Sequence, residues 1–411
     1  MTPPTPEAQA ENSGGQRPNR PRTRAGKVLT AALVAAAAAA AALGARAAIA
    51  EPDTVRDSAP ESHTKTREAV DAAVRSGVPG AVIEVRDRQG SWRHAAGVGD
   101  VRTGRERSPH DHYRIGSVTK TFVATVLLQL EAEGRLNLDD TVEKWLPGVV
   151  RGNGHDGQRV TLRQLLRNTS GIFSYNTDEE FARKTAGTGF FEHRYDTWTP
   201  RQLVDVAMRH KPRFRPGKGF DYSNTNYILA GMVVDRVTGR PYGTEIERRI
   251  LHRLGLRNTS VPGTDPRLPQ PSSRAYAKFS KGAKPRDVTE LNPSSAGAAG
   301  EMISDGADVT RFYRSLLRGE LLPRQQMKEM TSTVPIDPRN PEAGGYGLGL
   351  VRFRMPCGKA IWGDGPRITG SLGKAFATRD GSRVVALNYN ADWPGAPEES
   401  GVPILAAEFC R

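Results

Sequence analysis

The sequence predicts a mixed α/β domain in which one antiparallel sheet is built from strands at both ends of the domain. Helices flank the sheet, and a mainly helical lobe is inserted between its two halves. Three observations lead there. GAVIEVRDRQGSWRHAAGVGD (80–100) reads as a β-hairpin turning at Arg88-Gln89-Gly90. From about 346, strand patterns return in GYGLGLVRFR, GKAIWG, GKAFATRDG and SRVVALNYN, the last two joined across Asp380-Gly381. Residues 137–300 carry short helical segments, Pro/Gly turns and few strand patterns.

Taken in order, residues 1–24 are polar and rich in Pro and Arg, and 28–50 form an alanine-rich apolar run ending before Glu51-Pro52. Basic region, apolar region and small-residue end read as a secretory signal (1–50) cleaved near Ala50. A retained anchor is the alternative, weakened by Arg46 and by alanine in place of leucine. Residues 51–65 read as a linker, and 66–411 as the domain, about the size of one enzyme fold with an inserted lobe. A helix is expected over 66–76, the hairpin follows, and a long apolar helix opens at Ser117. A further helix runs from about Asn226 to Val237, and an amphipathic one covers 305–322. GVPILAAEFC (401–410) closes the chain with a helix.

The net charge is +14. The leader holds six basic and two acidic residues, which leaves +10 on the remainder, suited to an anionic cell surface. No basic patch with interleaved aromatics and no nucleic-acid motif appears, which argues against a nucleic-acid partner. No Cys/His cluster has metal-ligand spacing, and the eight histidines are scattered, so no metal is expected. The two cysteines, Cys357 and Cys410, are expected to pair in an exported protein.

The chemistry is carried by HYRIGSVTKTFVATVLLQLEAEGRL (112–136). Ser117 and Lys120 share one helix face, and Phe122, Val123, Val126, Leu127 and Leu130 follow at helical spacing. A lysine at the edge of such a buried helix loses solvation, which lowers its pKa and lets it share a proton with a hydroxyl. Alone, Ser117 is equally a helix cap. The spacing recurs by chance at Ser62-His-Thr-Lys65, where no apolar run follows. Tyr222-Ser223-Asn224 sits after Pro216-Gly217 at the mouth of a helix, where a phenol and an amide can reach one cleft.

Together, Ser117-Val-Thr-Lys120 and Tyr222-Ser-Asn224 resemble the serine-reactive penicillin-recognising family. The resemblance is to the branch of D-alanyl-D-alanine carboxypeptidases and class C β-lactamases. LRQLLRNTSGI (162–172), PGKGFDYSNTNYILAGMVVDRVTG (216–239), SAGAAGEMISDGADVTRFYRSLLRG (295–319), GYGLGL (345–350) and the cysteine pair extend it over roughly 66–411. Ser174-Tyr-Asn176 matches the Ser-x-Asn form of other branches, but the text around Tyr222 marks the tyrosine branch.

The resemblance implies a β-lactamase/transpeptidase-like fold. Ser117 would be the nucleophile and Lys120 the holder of its proton network. Tyr222 would be a general base whose pKa the Lys120 charge lowers, and Asn224 a ligand for the substrate amide. Backbone N–H groups of Ser117 and of a C-terminal strand would hold the oxyanion. No cofactor is implied. The family's third motif opens with a basic residue that receives a substrate carboxylate. Here a gap-free register places Asp364-Gly365-Pro366 on it, and a four-residue slide places Ile368-Thr369-Gly370 there. Neither begins with a base. Asp364 would repel a carboxylate unless Arg367, Arg352 or Arg354 compensates. The expected function is therefore an exported, monomeric serine D-alanyl-D-alanine carboxypeptidase acting on peptidoglycan stem peptides and acylated by β-lactams. The alternatives are a serine esterase, amidase or β-lactamase-like hydrolase of substrates without that carboxylate, or a binding protein with a degenerate site.

Overall fold

The computed structural model describes residues 63–280, 282–393 and 401–411. All of them belong to one compact unit, 52–411. The leader and Ser62 lie outside the described residues.

Ten strands form one sheet: β1 Gly80–Arg86, β2 Ser91–Asp100, β3 Arg105–Glu106, β4 Val334–Pro335, β5 Gly344–Tyr346, β6 Val351–Arg354, β7 Ala360–Asp364, β8 Arg367–Ile368, β9 Ser371–Ala377 and β10 Val384–Tyr389. Their spatial order is β4-β5-β6-β7-β9-β10-β1-β2-β3, with β8 paired to β9 at one side. Every pairing within this sheet is antiparallel. The N-terminal hairpin thus completes a sheet begun by the C-terminal strands, with Ala81 opposite Tyr389 and Arg86 opposite Val384.

The centre of the sheet is covered on both faces, so β1 is buried along its whole length. On one face Ala81, Ile83 and Val85 join a core with Val70, Ile404, Leu405 and Phe409. These last come from helix α1 (Thr64–Arg75) and the closing helix α5 (Gly401–Phe409). The disulfide Cys357–Cys410 ties the β6–β7 connection to the end of α5. On the other face Val82 joins the larger core, which continues into the helices of the inserted segment.

Helix α2 (Val118–Ala132) is buried on all sides from Val118 to Leu130, as its nearly uninterrupted apolar and small polar sequence requires. Helix α3 (Asn224–Thr238) packs against it, and α4 (Gly306–Leu317) lies on β1, β9 and β10. Asp305 caps α4 through the Asp308 amide at 2.8 Å. Apart from α3, residues 137–300 hold short helices and two-residue strands, as their turn-rich sequence predicts. Helix α3 begins at Asn224, two residues earlier than its apolar periodicity indicates, so Asn224 belongs to the helix and not to the loop before it.

Candidate active site

Ser117 stands at the N-terminus of α2, yet its side chain caps nothing. Its Oγ instead receives the Lys120 Nζ at 3.0 Å and the Tyr222 hydroxyl at 2.9 Å. Gly116 makes this turn possible. Its φ is +46°, and a Cβ there would lie 3.1 Å from the Arg367 backbone oxygen, so strand β8 packs directly on the turn that presents Ser117.

Lys120 is fully buried because α2 is buried on all sides. Its Nζ also donates to the Ala299 carbonyl at 2.5 Å and lies 4.9 Å from the Tyr222 ring centroid. Burial pushes the ammonium from its ordinary 10.5 down to about 7, an effect the Asp364 charge partly offsets.

Tyr222 exposes 37% of its surface as the rim of the cleft, but its hydroxyl is turned inward to Ser117. Desolvation and the charge of Asp364 hold that phenol well above 10. This corrects the expectation that Lys120 lowers it: a lysine that burial has brought close to neutrality is too weak a cation to offset those two effects.

The loop carrying Tyr222 is organised by a residue that sequence reasoning did not single out. Asn168, fully buried and left-handed at φ 58°, accepts through Oδ1 from the Ser223 amide at 3.1 Å and from Asn226 Nδ2 at 2.9 Å. Its carbonyl accepts from the Asp221 amide at 3.1 Å. Asparagine is one of few residues that tolerates that backbone. The signal lay in the quoted stretch LRQLLRNTSGI, read there only as family wording.

The Ser174-Tyr-Asn176 segment shares the cleft in a supporting role. The Ser174 hydroxyl accepts from the Asn224 amide at 2.8 Å and donates to Asn176 Oδ1 at 2.6 Å, whereas the partners of Ser117 Oγ are Lys120 and Tyr222. Asn224 lines the cleft, and its Oδ1 is buried without a hydrogen-bond partner among the described residues. Lys65, of the other Ser-x-x-Lys, is exposed on α1.

The cleft has a volume of about 460 Å³ and holds Ser117, Tyr222, Asn224, Asp364, Gly365 and Arg367 together. Tyr175, Phe181, Phe190, Leu291 and Ile368 add apolar surface to its lining, beside polar residues such as Asn176, His193 and Asn292. Asp364 ends β7 opposite Ala375 and is the position whose charge reaches both Lys120 and Tyr222. That favours the gap-free register. Thr369 also lines the cleft, and its hydroxyl points to the Thr185 carbonyl at 3.4 Å. Arg367 Nε lies 2.6 Å from Asp392, Arg354 is 3.1 Å from Glu342, and Arg352 donates to the Pro341 carbonyl at 3.3 Å. Arg352 and Arg354 are absent from the cleft lining, and Arg367 is held at the cleft by Asp392.

This arrangement offers a buried lysine close to neutrality, a serine oxygen and a protonated phenol in one hydrogen-bonded chain, the parts of serine acyl transfer. The comparisons agree. A family model described as Beta-lactamase matches residues 62–403. Protein flp of Staphylococcus aureus (strain COL) is 33% identical over 189 residues, 46% of this chain and 36% of that protein, so the match spans about a third of that relative's length. Among solved structures, a D-stereospecific amidohydrolase from Streptomyces sp. is 56% identical, with a TM-score of 0.80 over 85% of this chain and 98% of that one. D-amino acid amidase from Ochrobactrum anthropi SV3 complexed with L-phenylalanine is 25% identical, with a TM-score of 0.73 over 85% and 98%. With the fold, the paired motifs and a match over most of its length in agreement, the chain belongs to the Beta-lactamase family, the serine hydrolases of the penicillin-recognising group.

Proposed function

We propose that the protein is a D-stereospecific serine amidohydrolase that cleaves aminoacyl amides through an acyl-enzyme on Ser117. The observation that carries this reading is Asp364, a buried carboxyl on the strand bordering the cleft, where the family places a base for the substrate carboxylate. Two like charges 4 Å apart at an effective dielectric near 20 repel by ~4 kcal/mol. Peptides with a free terminal carboxylate are therefore disfavoured, and amides without one are not. The 56%-identical Streptomyces protein, described as a D-stereospecific amidohydrolase, supports the same class. The carboxypeptidase reading, with peptidoglycan stem peptides as substrate, takes second place for the same reason. Export through the 1–50 leader, a monomeric state and acylation by β-lactams remain part of the proposal.

In the proposed mechanism Ser117 Oγ attacks the amide carbonyl while its proton passes to the neutral Lys120 amine, 3.0 Å away. The backbone N–H groups of Ser117 and Arg367, on strands of chain that touch at Gly116, take the oxyanion. Collapse breaks the C–N bond, and the leaving amine receives its proton from the Tyr222 hydroxyl. The Lys120 ammonium, which lies against the Tyr222 ring, then returns its proton to the phenolate, so that both groups regain their starting state. Water attacks the ester, gives its proton to the same chain, and releases the acid. The apolar part of the lining takes the acyl side chain, and Asn224 binds the amide.

The test is steady-state kinetics on D-phenylalanine amide against a D-Ala-D-Ala-terminated peptide, with fluorophosphonate labelling as the active-site count. The amide is expected to show the higher kcat/KM, with labelling lost in Ser117→Ala. A preference for the peptide would establish the carboxypeptidase instead, and labelling that survives in Ser117→Ala would remove Ser117 from the mechanism.

A further inference from the structure

Asp364 is only 5% exposed, yet its Oδ2 finds no hydrogen-bond partner among the described residues. A buried carboxylate oxygen left unpaired is costly, and in a native structure it calls for a reason. The charged and titratable groups facing it are Lys120 from α2 and Lys374 from β9. The phenols of Tyr222 before α3, Tyr227 on α3, Tyr313 on α4 and Tyr346 on β5 also feel its charge. Lys120 is already engaged by Ser117 Oγ and the Ala299 carbonyl and compensates Asp364 through space. The carboxyl group also lines the cleft in which Ser117 stands. Burial pushes the Asp364 carboxyl above its ordinary range, the Lys120 and Lys374 charges oppose that shift, and a cation entering the cleft would favour the carboxylate in the same way.

We propose that Asp364 anchors a cationic group of the substrate, the free α-ammonium of an aminoacyl amide, and is counter-ion to Lys120 only while the cleft is empty. This rests on the amidohydrolase reading and narrows its substrate to amides with an unblocked amine. It also couples binding to chemistry. A second cation beside Asp364 disfavours the Lys120 ammonium, which releases its proton to solvent. The neutral amine is then ready to take the Ser117 proton. The same carboxyl that excludes a substrate carboxylate thus selects an ammonium and switches the base on.

The experiment compares D-phenylalanine p-nitroanilide with its N-acetyl derivative at pH 6.5, and records the kcat–pH profile for each, in wild type and in Asp364→Asn. Wild type is expected to favour the free amine in KM by roughly ten- to a hundredfold, the worth of a hydrogen bond to a charged group. Its kcat acid limb is expected at lower pH with the free amine than with the blocked substrate. Both differences should vanish in Asp364→Asn, whatever that variant does to the overall rate. Equal handling of the two substrates by wild type overturns the anchor by itself, even if Asp364→Asn does not fold. Discrimination that survives in Asp364→Asn overturns it as well. Turnover of neither substrate sinks the amidohydrolase reading and the anchor with it, whereas equal turnover sinks the anchor alone.

Discussion

Replacing Lys120 by methionine is expected to abolish turnover and yet make the protein harder to unfold at neutral pH. The lysine is fully buried, and its pKa falls from 10.5 in the unfolded chain to about 7 in the fold. A change of that size corresponds to ~5 kcal/mol held against folding when both states are protonated. Between pH 7 and 10.5 the unfolded chain binds more protons than the native one, so wild-type stability rises with pH across that window. The penalty is complete below about 7 and gone above about 10.5. Methionine has a similar volume and carries no charge. It leaves the Ala299 carbonyl without its 2.5 Å donor, at a cost of about 1–3 kcal/mol. The variant should therefore gain about 2 kcal/mol or more at pH 7, several degrees in Tm, and the gain should shrink steadily as the pH is raised to 9.5. The assay is thermal unfolding of both proteins at half-unit pH steps from 6.5 to 9.5. A gap that does not change with pH, or a variant less stable throughout, would show that Lys120 is not held near neutrality by burial.

Tyr222→Phe should keep the fold and the fluorophosphonate reaction of Ser117 while lowering amide turnover by ~10²–10⁴, the usual worth of a positioned proton donor. An unchanged rate would remove the phenol from the mechanism. Reducing the Cys357–Cys410 bond, which closes a separation of 53 residues, should cost about 4 kcal/mol by the chain-entropy account. Two thiols per chain titrating with Ellman's reagent in denatured, unreduced protein would show that the bond does not form.

Much of the fold was legible because it is written locally. The hairpin over 80–100 and the apolar run after Ser117 declare themselves through period and turn residues, and both appear as read. The two halves of the site were legible as short patterns, since Ser117 and Lys120 are one helical turn apart and Tyr222 and Asn224 flank a helix start. Properties of the assembled molecule were not legible. Nothing local says that β1 slots between β10 and β2, or that Arg367 is held by Asp392, 25 positions away on another element. The left-handed Asn168 that braces the Tyr222 loop is one asparagine among several until its buried partners are known. The direction of the Tyr222 shift was not legible, because the sequence shows the neighbouring cation and not the desolvation that outweighs it.

The raised Tyr222 phenol bears on how proton transfer is divided within the cleft. Burial disfavours charge on any group, so it lowers an amine and raises a phenol. Lys120 and Tyr222 lie in the same desolvated pocket and are driven in opposite directions with respect to protonation: the lysine toward releasing its proton near pH 7, the phenol toward keeping its own. Titratable groups whose pKa values are set by one environment in this way fall into complementary acid and base roles. Asp364 adds its charge to both, keeping the phenol protonated and returning part of the lysine's affinity for a proton. Without Asp364 the lysine would be the stronger candidate to stand neutral in the empty enzyme. With it, full release of the Lys120 proton awaits a cation that takes over the carboxylate. The residue that departs from the family pattern therefore lies where its charge acts on the base and the acid together and, in the proposed mode, on the substrate.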